Sequence, residues 1–204
     1  MFHLLVNYNF TPEKDWIGDD YLIYDRSDSK EWLKDFDQSK IIYSENIGQV
    51  DYDKLTYLID NYYNLPDVFY WGKTNLFKYI SKEEFELVKD NQSFTPLLTQ
   101  HHESVSDQLG LCSYYSGGMY HERSSLLGMA HWKYFKSYPE FAHAFQISCE
   151  YYVPFAPGGN YILTREVIHK YSKDFYLNMR STLPYAMNPV EAHWCERAYY
   201  TMWK

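Results

Sequence analysis

Residues 46 to 73, NIGQVDYDKLTYLIDNYYNLPDVFYWGK, constrain the fold more than any other stretch, because a glycine turn, an amphipathic helix and a short apolar strand follow one another without slack. Asp51 suits a helix start, and Leu55, Leu58, Ile59 and Tyr62 recur at helical spacing on one face. Asn64, Leu65 and Pro66 end that helix. Val68, Phe69, Tyr70 and Trp71 are too short a run for a helix and suit a strand buried on both faces. Gly72, Lys73 and Asn75 then predict a loop at its carboxyl end, where open α/β sheets bind their ligands.

The rest of the chain repeats this alternation. Strands are predicted over 2–7, 21–24 and 41–43, with Asn7, Tyr8 and Asn9 after the first and Asp25, Arg26 and Ser27 after the second. Ser29 is placed to cap a short helix, and Ser81 with Glu84 forms a capping box for a helix over about 82–90. Residues 91–122 carry Pro96, His101, His102 and a Ser-Gly-Gly tract and are expected to be an irregular loop or lid. A helix is expected over 124–136, strands over 151–155 and 160–164, and helices from Arg165 to about 171 and over 173–181. Asn188, Pro189 and Glu191 read as the cap, first turn and acidic third position of a last helix. Such an alternation implies an α/β fold: one domain over 1–204, with a mostly parallel sheet and flanking helices.

A net charge of -8 argues against nucleic-acid or anionic-membrane partners, so a phosphate-bearing ligand requires a local exception. Aromatic residues make up 20% of the chain, including 23 tyrosines, whose flat bodies and polar tips suit half-wet clefts that stack on bases or sugar rings. Cys112, Cys149 and Cys195 lie far apart without metal-site spacing, and MFHLLVNYNF carries no basic leader. A cytoplasmic protein without a membrane span is expected.

Glu191 is read two ways, as a helix cap or as a general base that deprotonates a sugar hydroxyl. His193, Glu196, Arg197 and Tyr200 share another face of that helix, Glu196 and Arg197 as a solvated pair. His101 and His102 have surface or core readings beside a metal-ligand one. Lys73 can offset a diphosphate. The phosphate loop of NTPases, the dinucleotide glycine fingerprint and the hydrolase nucleophile elbow are all absent.

The stretch 46–73, PGGNYILTREVIHKYSKDFY and the terminal ERAYYTMW together resemble the family called domain of unknown function 3431, over about half the chain. More distantly, the layout is similar to the nucleotide-diphospho-sugar transferase fold GT-A, a Rossmann-like three-layer sandwich. That resemblance implies a nucleotide-binding half over 1–80 and an acceptor-side half over 150–204. It implies a glycosyltransferase that moves a sugar from a nucleotide-sugar donor to a glycan or other hydroxyl acceptor. By position, Asn7, Tyr8, Asn9, Asp25 and Arg26 would bind base and ribose. Asn46 and Gly48 would line the diphosphate side, Trp71 and Gly72 would face the sugar, and Gly158, Gly159 and Asn160 would shape the acceptor region. Glu191 with Arg197 fits the spacing of a base and its later arginine. Where GT-A enzymes carry Asp-x-Asp, this chain reads YWGKTN. Lys73, helped by Arg26 or Arg165, would then replace the metal's charge, with no cofactor required. The alternatives are a manganese-like cation recruited by His101, His102 or His193, or a non-catalytic carbohydrate- or protein-binding module on the same fold.

Overall fold

A computed structural model describes residues 1–98, 113–116, 119–124 and 132–204. Strands β1 (Phe2–Asn7), β2 (Tyr21–Asp25), β3 (Ile41–Tyr43) and β4 (Val68–Lys73) are parallel, in the order β3-β2-β1-β4. Beyond β4 the sheet continues with β9 (Tyr161–Thr164) and β5 (Thr95–Pro96), so the order ends β4-β9-β5 and these two pairings are antiparallel. The fold is therefore mixed α/β, with four parallel strands and an antiparallel edge.

Period-two alternation gives the sheet two apolar faces. Leu4, Val6, Phe69, Trp71, Tyr161 and Leu163 face one core, which is closed by helices α1 (Gln49–Asp60), α5 (Lys173–Ser181) and α6 (Val190–Trp203). Leu5, Ile23, Tyr70 and Ile162 face the other, closed by short 3₁₀ turns and α2 (Lys82–Val88). Sequence-level caps hold where the donor amide is three residues on: Ser81 and Glu84 form the complete capping box of α2, and Ser172 caps α5.

A second sheet, β6 (Ser113–Ser116), β7 (Met119–Arg123) and β8 (Tyr152–Phe155), is antiparallel throughout. It corrects the expectation of an irregular segment over 91–122, whose described parts hold β5, β6 and β7. Across the β6–β7 pair Tyr115 lies opposite Tyr120, their ring centroids 5.2 Å apart, a cross-strand aromatic contact that supports the pairing. Of the helix expected over 124–136, residues 125–131 lie outside the described residues and 132–136 are not helical. The helix begins later, as α3 (Tyr138–Ala144), where Ser137 caps it and Pro139 occupies its first turn. A four-residue helix α4 (Arg165–Ile168) follows β9.

Three local expectations change with the geometry. Helix α1 starts two residues before Asp51, from Gly48 in a left-handed conformation (φ 67°). Strand β4 runs on through Gly72 and Lys73, because both pair with β1 opposite Leu5 and Val6. Trp71 is fully buried, packed at 5.3 Å on Trp203 and 5.9 Å on Tyr199, and serves as core rather than as a sugar-facing platform.

Gly72 is required by a close approach: a Cβ there would collide with the Tyr70 hydroxyl and with Asn160 Oδ1. Gly72→Ala is expected to destabilise the protein by about 1–3 kcal/mol, as overpacking of a closed site does. The check is the urea midpoint, and an unchanged midpoint would contradict the packing.

Candidate functional site

Between β1 and β4 the connection direction reverses: the chain runs outward from β1 to β3, then crosses back to β4 on the other side. A cavity of about 350 Å³ opens at this switch point, outside the carboxyl ends of the strands. Val6 and Lys73, paired in register, form its floor with Thr74 and Asn75. Tyr8 and Phe10 come from the loop after β1, Arg26 from that after β2, and Asn46, Gln49 and Val50 from the entry to α1. Met187 and Asn188, just before α6, complete the wall. The size falls within the ordinary range for small-molecule sites.

Two chain-distant loops are stitched together to make that wall. Gly48 N donates to Ala186 O at 2.8 Å and Gln49 N to Met187 O at 3.2 Å. The left-handed Gly48 makes this turn, and a Cβ on it would lie 2.8 Å from Tyr52 Cβ and 3.0 Å from Leu183 Cβ. Arg26 binds Asp53 at 3.1 Å and donates to the carbonyls of Glu45 and Ile47, with its side chain almost wholly buried. It fixes the 45–47 loop while lining the cavity. Burial weakens its hold on the proton, and Asp53 and Asp51 oppose that effect.

Lys73 is the second cation of the lining. Its Nζ lies 3.4 Å from the Tyr79 hydroxyl. Burial opposes its charge, but Tyr79, Glu196 and Asp51 outweigh that penalty and raise its pKa, so it is ammonium at neutral pH. Behind it, Glu196 Oε1 accepts from Gly158 N at 3.0 Å and lies 3.7 Å from Arg197 Nη1. Burial pushes that carboxyl up, but Arg197, Lys73, His193 and the Gly158 amide together bring it below the usual value, so it is ionised. Among the described residues, no carboxylate lines the cavity itself.

Of the residues nominated from sequence, the cavity gathers Tyr8, Arg26, Asn46 and Lys73. The other described ones are structural. Asn7 is fully buried and ties three strand ends together through Asp25, Ser27 and Thr74, so Asn7 and Asp25 brace the site and do not reach a ligand. Asn9 turns the chain at positive φ (47°) and holds Ser27 and Asp28. Gly158, Gly159 and Asn160 are buried: Gly159 O accepts from Lys54 Nζ at 2.7 Å, and Asn160 Oδ1 accepts from Lys73 N at 2.8 Å and the Tyr70 hydroxyl at 2.9 Å. They support the end of β4 instead of opening onto an acceptor.

Glu191 is neither cap nor accessible base. Pro189 precedes the first residue of α6, and Glu191 is fully buried, accepting from the amides of Lys133 (3.0 Å) and Tyr134 (2.9 Å) and from the Tyr185 hydroxyl. Arg197 pairs with buried Glu122 at 3.0 Å and lies 4.2 Å from the Phe155 ring, joining α6 to the second sheet rather than to substrate. Arg165 binds Leu65 O and Asp67 at the opposite end of β4, too far along the strand to help Lys73. His101 and His102 lie outside the described residues. His193 Nε2 sits 3.1 Å from Asn188 Oδ1, and burial, then Arg197, lowers its pKa. Among the described residues, no three His, Cys, Asp or Glu side chains come together to hold a metal ion.

Sequence reading missed Gln49, Thr74 and the buried Asp53 and Lys54 of α1, and took Asn188 for a cap rather than part of the cavity wall. The DYDK tetrad carried a signal: Asp51, Asp53 and Lys54 are all buried, on a helix read only as an apolar stripe with Asp51 at its start. Lys54 bonds Gly159 O beneath Trp71, and burial, partly offset by Asp51, lowers its pKa from 10.5 to about 8. As pH rises, the folded protein therefore sheds this proton before the unfolded chain does. From about pH 8 to 10.5 the unfolded state holds more protons, and this group's contribution to stability rises with pH. Between pH 8 and pH 10, urea midpoints of the wild type are expected to gain on those of Lys54→Met; a constant gap would contradict the buried lysine. No family model, curated protein or solved structure matches this chain.

Proposed function

We infer that the cavity binds the nucleoside diphosphate of a nucleotide sugar, and that the protein transfers the sugar to a hydroxyl acceptor on a GT-A-like scaffold without a metal ion. The observation that carries this reading is the charge of the lining: a chain of net charge -8 surrounds its switch-point cavity with Arg26, Lys73, amides and aromatic rings, and, among the described residues, with no carboxylate. Tyr8 and Phe10 are suited to stack on a base, and Asn46, Gln49 and Asn188 to bond ribose and phosphate oxygens. Lys73 occupies the strand end where a metal-binding aspartate would stand, and its ammonium meets the charge that develops on the leaving diphosphate.

In the transfer, the acceptor oxygen forms the new bond to the anomeric carbon while the bond to the diphosphate breaks. The electron pair leaves with the diphosphate, next to Lys73. The acceptor proton passes to solvent, since the ionised Glu196 is bound by the Gly158 amide and does not line the cavity. A binding-only reading is favoured by one observation: Glu196 is only 13% exposed and stands behind the cavity wall. Activity separates the two.

Thermal shift and titration calorimetry with a panel of nucleotide sugars and nucleoside diphosphates test the site. Lys73→Met is expected to weaken diphosphate binding about ten- to a hundredfold, the loss of one charge-assisted contact of about 1.5–3 kcal/mol. Transfer that survives EDTA supports the lysine, and transfer restored only by manganese overturns it. If no nucleotide stabilises the protein, the donor site is refuted.

A further inference from the structure

Glu191 has a task that neither a cap nor a base explains. This fully buried carboxylate receives two backbone amides of the 133–134 loop on Oε1 and the Tyr185 phenol on Oε2. Such a network fixes two surface segments against each other. Burial, then the Glu191 bond and charge, keep the Tyr185 phenol protonated and therefore a donor. What the network presents outward is aromatic. Trp132 is 53% exposed and Tyr134 47%, with Tyr134 edge-on to Tyr185 at 5.9 Å. The Lys133 ammonium lies 5.1 Å from the Tyr134 ring and 5.6 Å from that of Tyr185. Two residues beyond Tyr185, Met187 is 59% exposed and is itself part of the cavity lining. The lip is thus continuous with the donor cavity.

We propose that Trp132, Tyr134, Tyr185 and Met187 form the acceptor subsite, which takes a carbohydrate ring beside the donor cavity. This rests on the donor reading above and names the acceptor class. Exposed apolar patches of this kind mark binding surfaces, and here the Tyr134 and Tyr185 rings sit beside the Lys133 ammonium and a phenol. A pyranose has the same mixture, an apolar C–H face bordered by hydroxyls. A protein partner would be better served by a wider dry patch. Because Glu191 holds the loop before ligand arrives, little side-chain and loop freedom remains to be lost on binding.

The test is saturation-transfer NMR and calorimetry with trisaccharides of glucose, galactose, mannose and N-acetylglucosamine, with and without a bound nucleoside diphosphate. At least one trisaccharide is expected to bind. Trp132→Ala and Tyr134→Ala, both at exposed positions, are expected to weaken it tenfold or more and to leave diphosphate affinity within twofold. Tyr63→Ala, at an exposed tyrosine elsewhere, is the control and is expected to change neither. The subsite is overturned if no trisaccharide binds, if the lip variants behave like Tyr63→Ala, or if the lip instead supports a concentration-dependent dimer that Trp132→Ala abolishes. Trisaccharide binding at the lip by a protein that binds no diphosphate would uphold the subsite and refute the donor reading alone.

Discussion

The buried charges of α1 are the constraint on which the rest of the architecture depends. Asp53 faces Arg26 at 3.1 Å, Lys54 reaches Gly159 O at 2.7 Å, and Asp51 lies in the fields of Lys54 and Tyr199. Each joins the helix to a different part of the chain: the loop after β2, the turn before β9, and α6. Burial lifts the Asp53 carboxyl to about 6 even beside the guanidinium, so the pair is held at an electrostatic cost. Apolar replacements often stabilise such pairs, whereas removing one member costs about 3–5 kcal/mol. Their value here is positional. Arg26 can line the cavity only because Asp53 and two carbonyls fix its guanidinium.

Much of the first half was legible because its signals are local. Hydrophobic periodicity located β1 to β4, and the Ser81–Glu84 box located α2 almost to the residue. What could not be read is pairing. Strand β9 lies antiparallel to β4, and β8 belongs to another sheet, yet both show the same short apolar alternation. Periodicity reports which residues are buried, not the neighbour that buries them. The start of α1 shows a similar limit: Gly48 tolerates the left-handed turn that a capping aspartate would not need, and the turn exists because a loop 138 residues later bonds across it at Gly48 N and Ala186 O.

The site was half legible for the same reason. Position at a strand end, read from the rule for open sheets at Lys73 and through the GT-A resemblance at Tyr8, Arg26 and Asn46, found these four. It did not distinguish side chains that face a ligand from those that brace the strand tips. Asn7 and Tyr8 are adjacent in the chain, and the pleat sends one into a buried network with Asp25 and Thr74 and the other outward. Glu191 was the hardest case. A carboxylate near a helix start suits a base, a cap or a loop anchor equally well, and its partners are amides nearly sixty residues away, in a stretch with no sequence signature.

The distribution of charge gives this ambiguity a physical resolution. An acidic chain can hold an anion only if its carboxylates are kept from one cavity, and several of its buried carboxylates are bound elsewhere. Asp53 is held by Arg26, Glu122 by Arg197, Glu191 by two amides and a phenol, and Glu196 by the Gly158 amide. Each bond takes a negative charge out of the lining while it positions a wall. Lys73, by contrast, has among the described residues only a tyrosine hydroxyl at 3.4 Å in the hydrogen-bond range and opens onto the cavity. Fixed positive charge in a partly dry site is worth more than the same charge in water. The bracing residues and the ligand-facing ones are therefore parts of one arrangement, in which the first set determines what the second can bind.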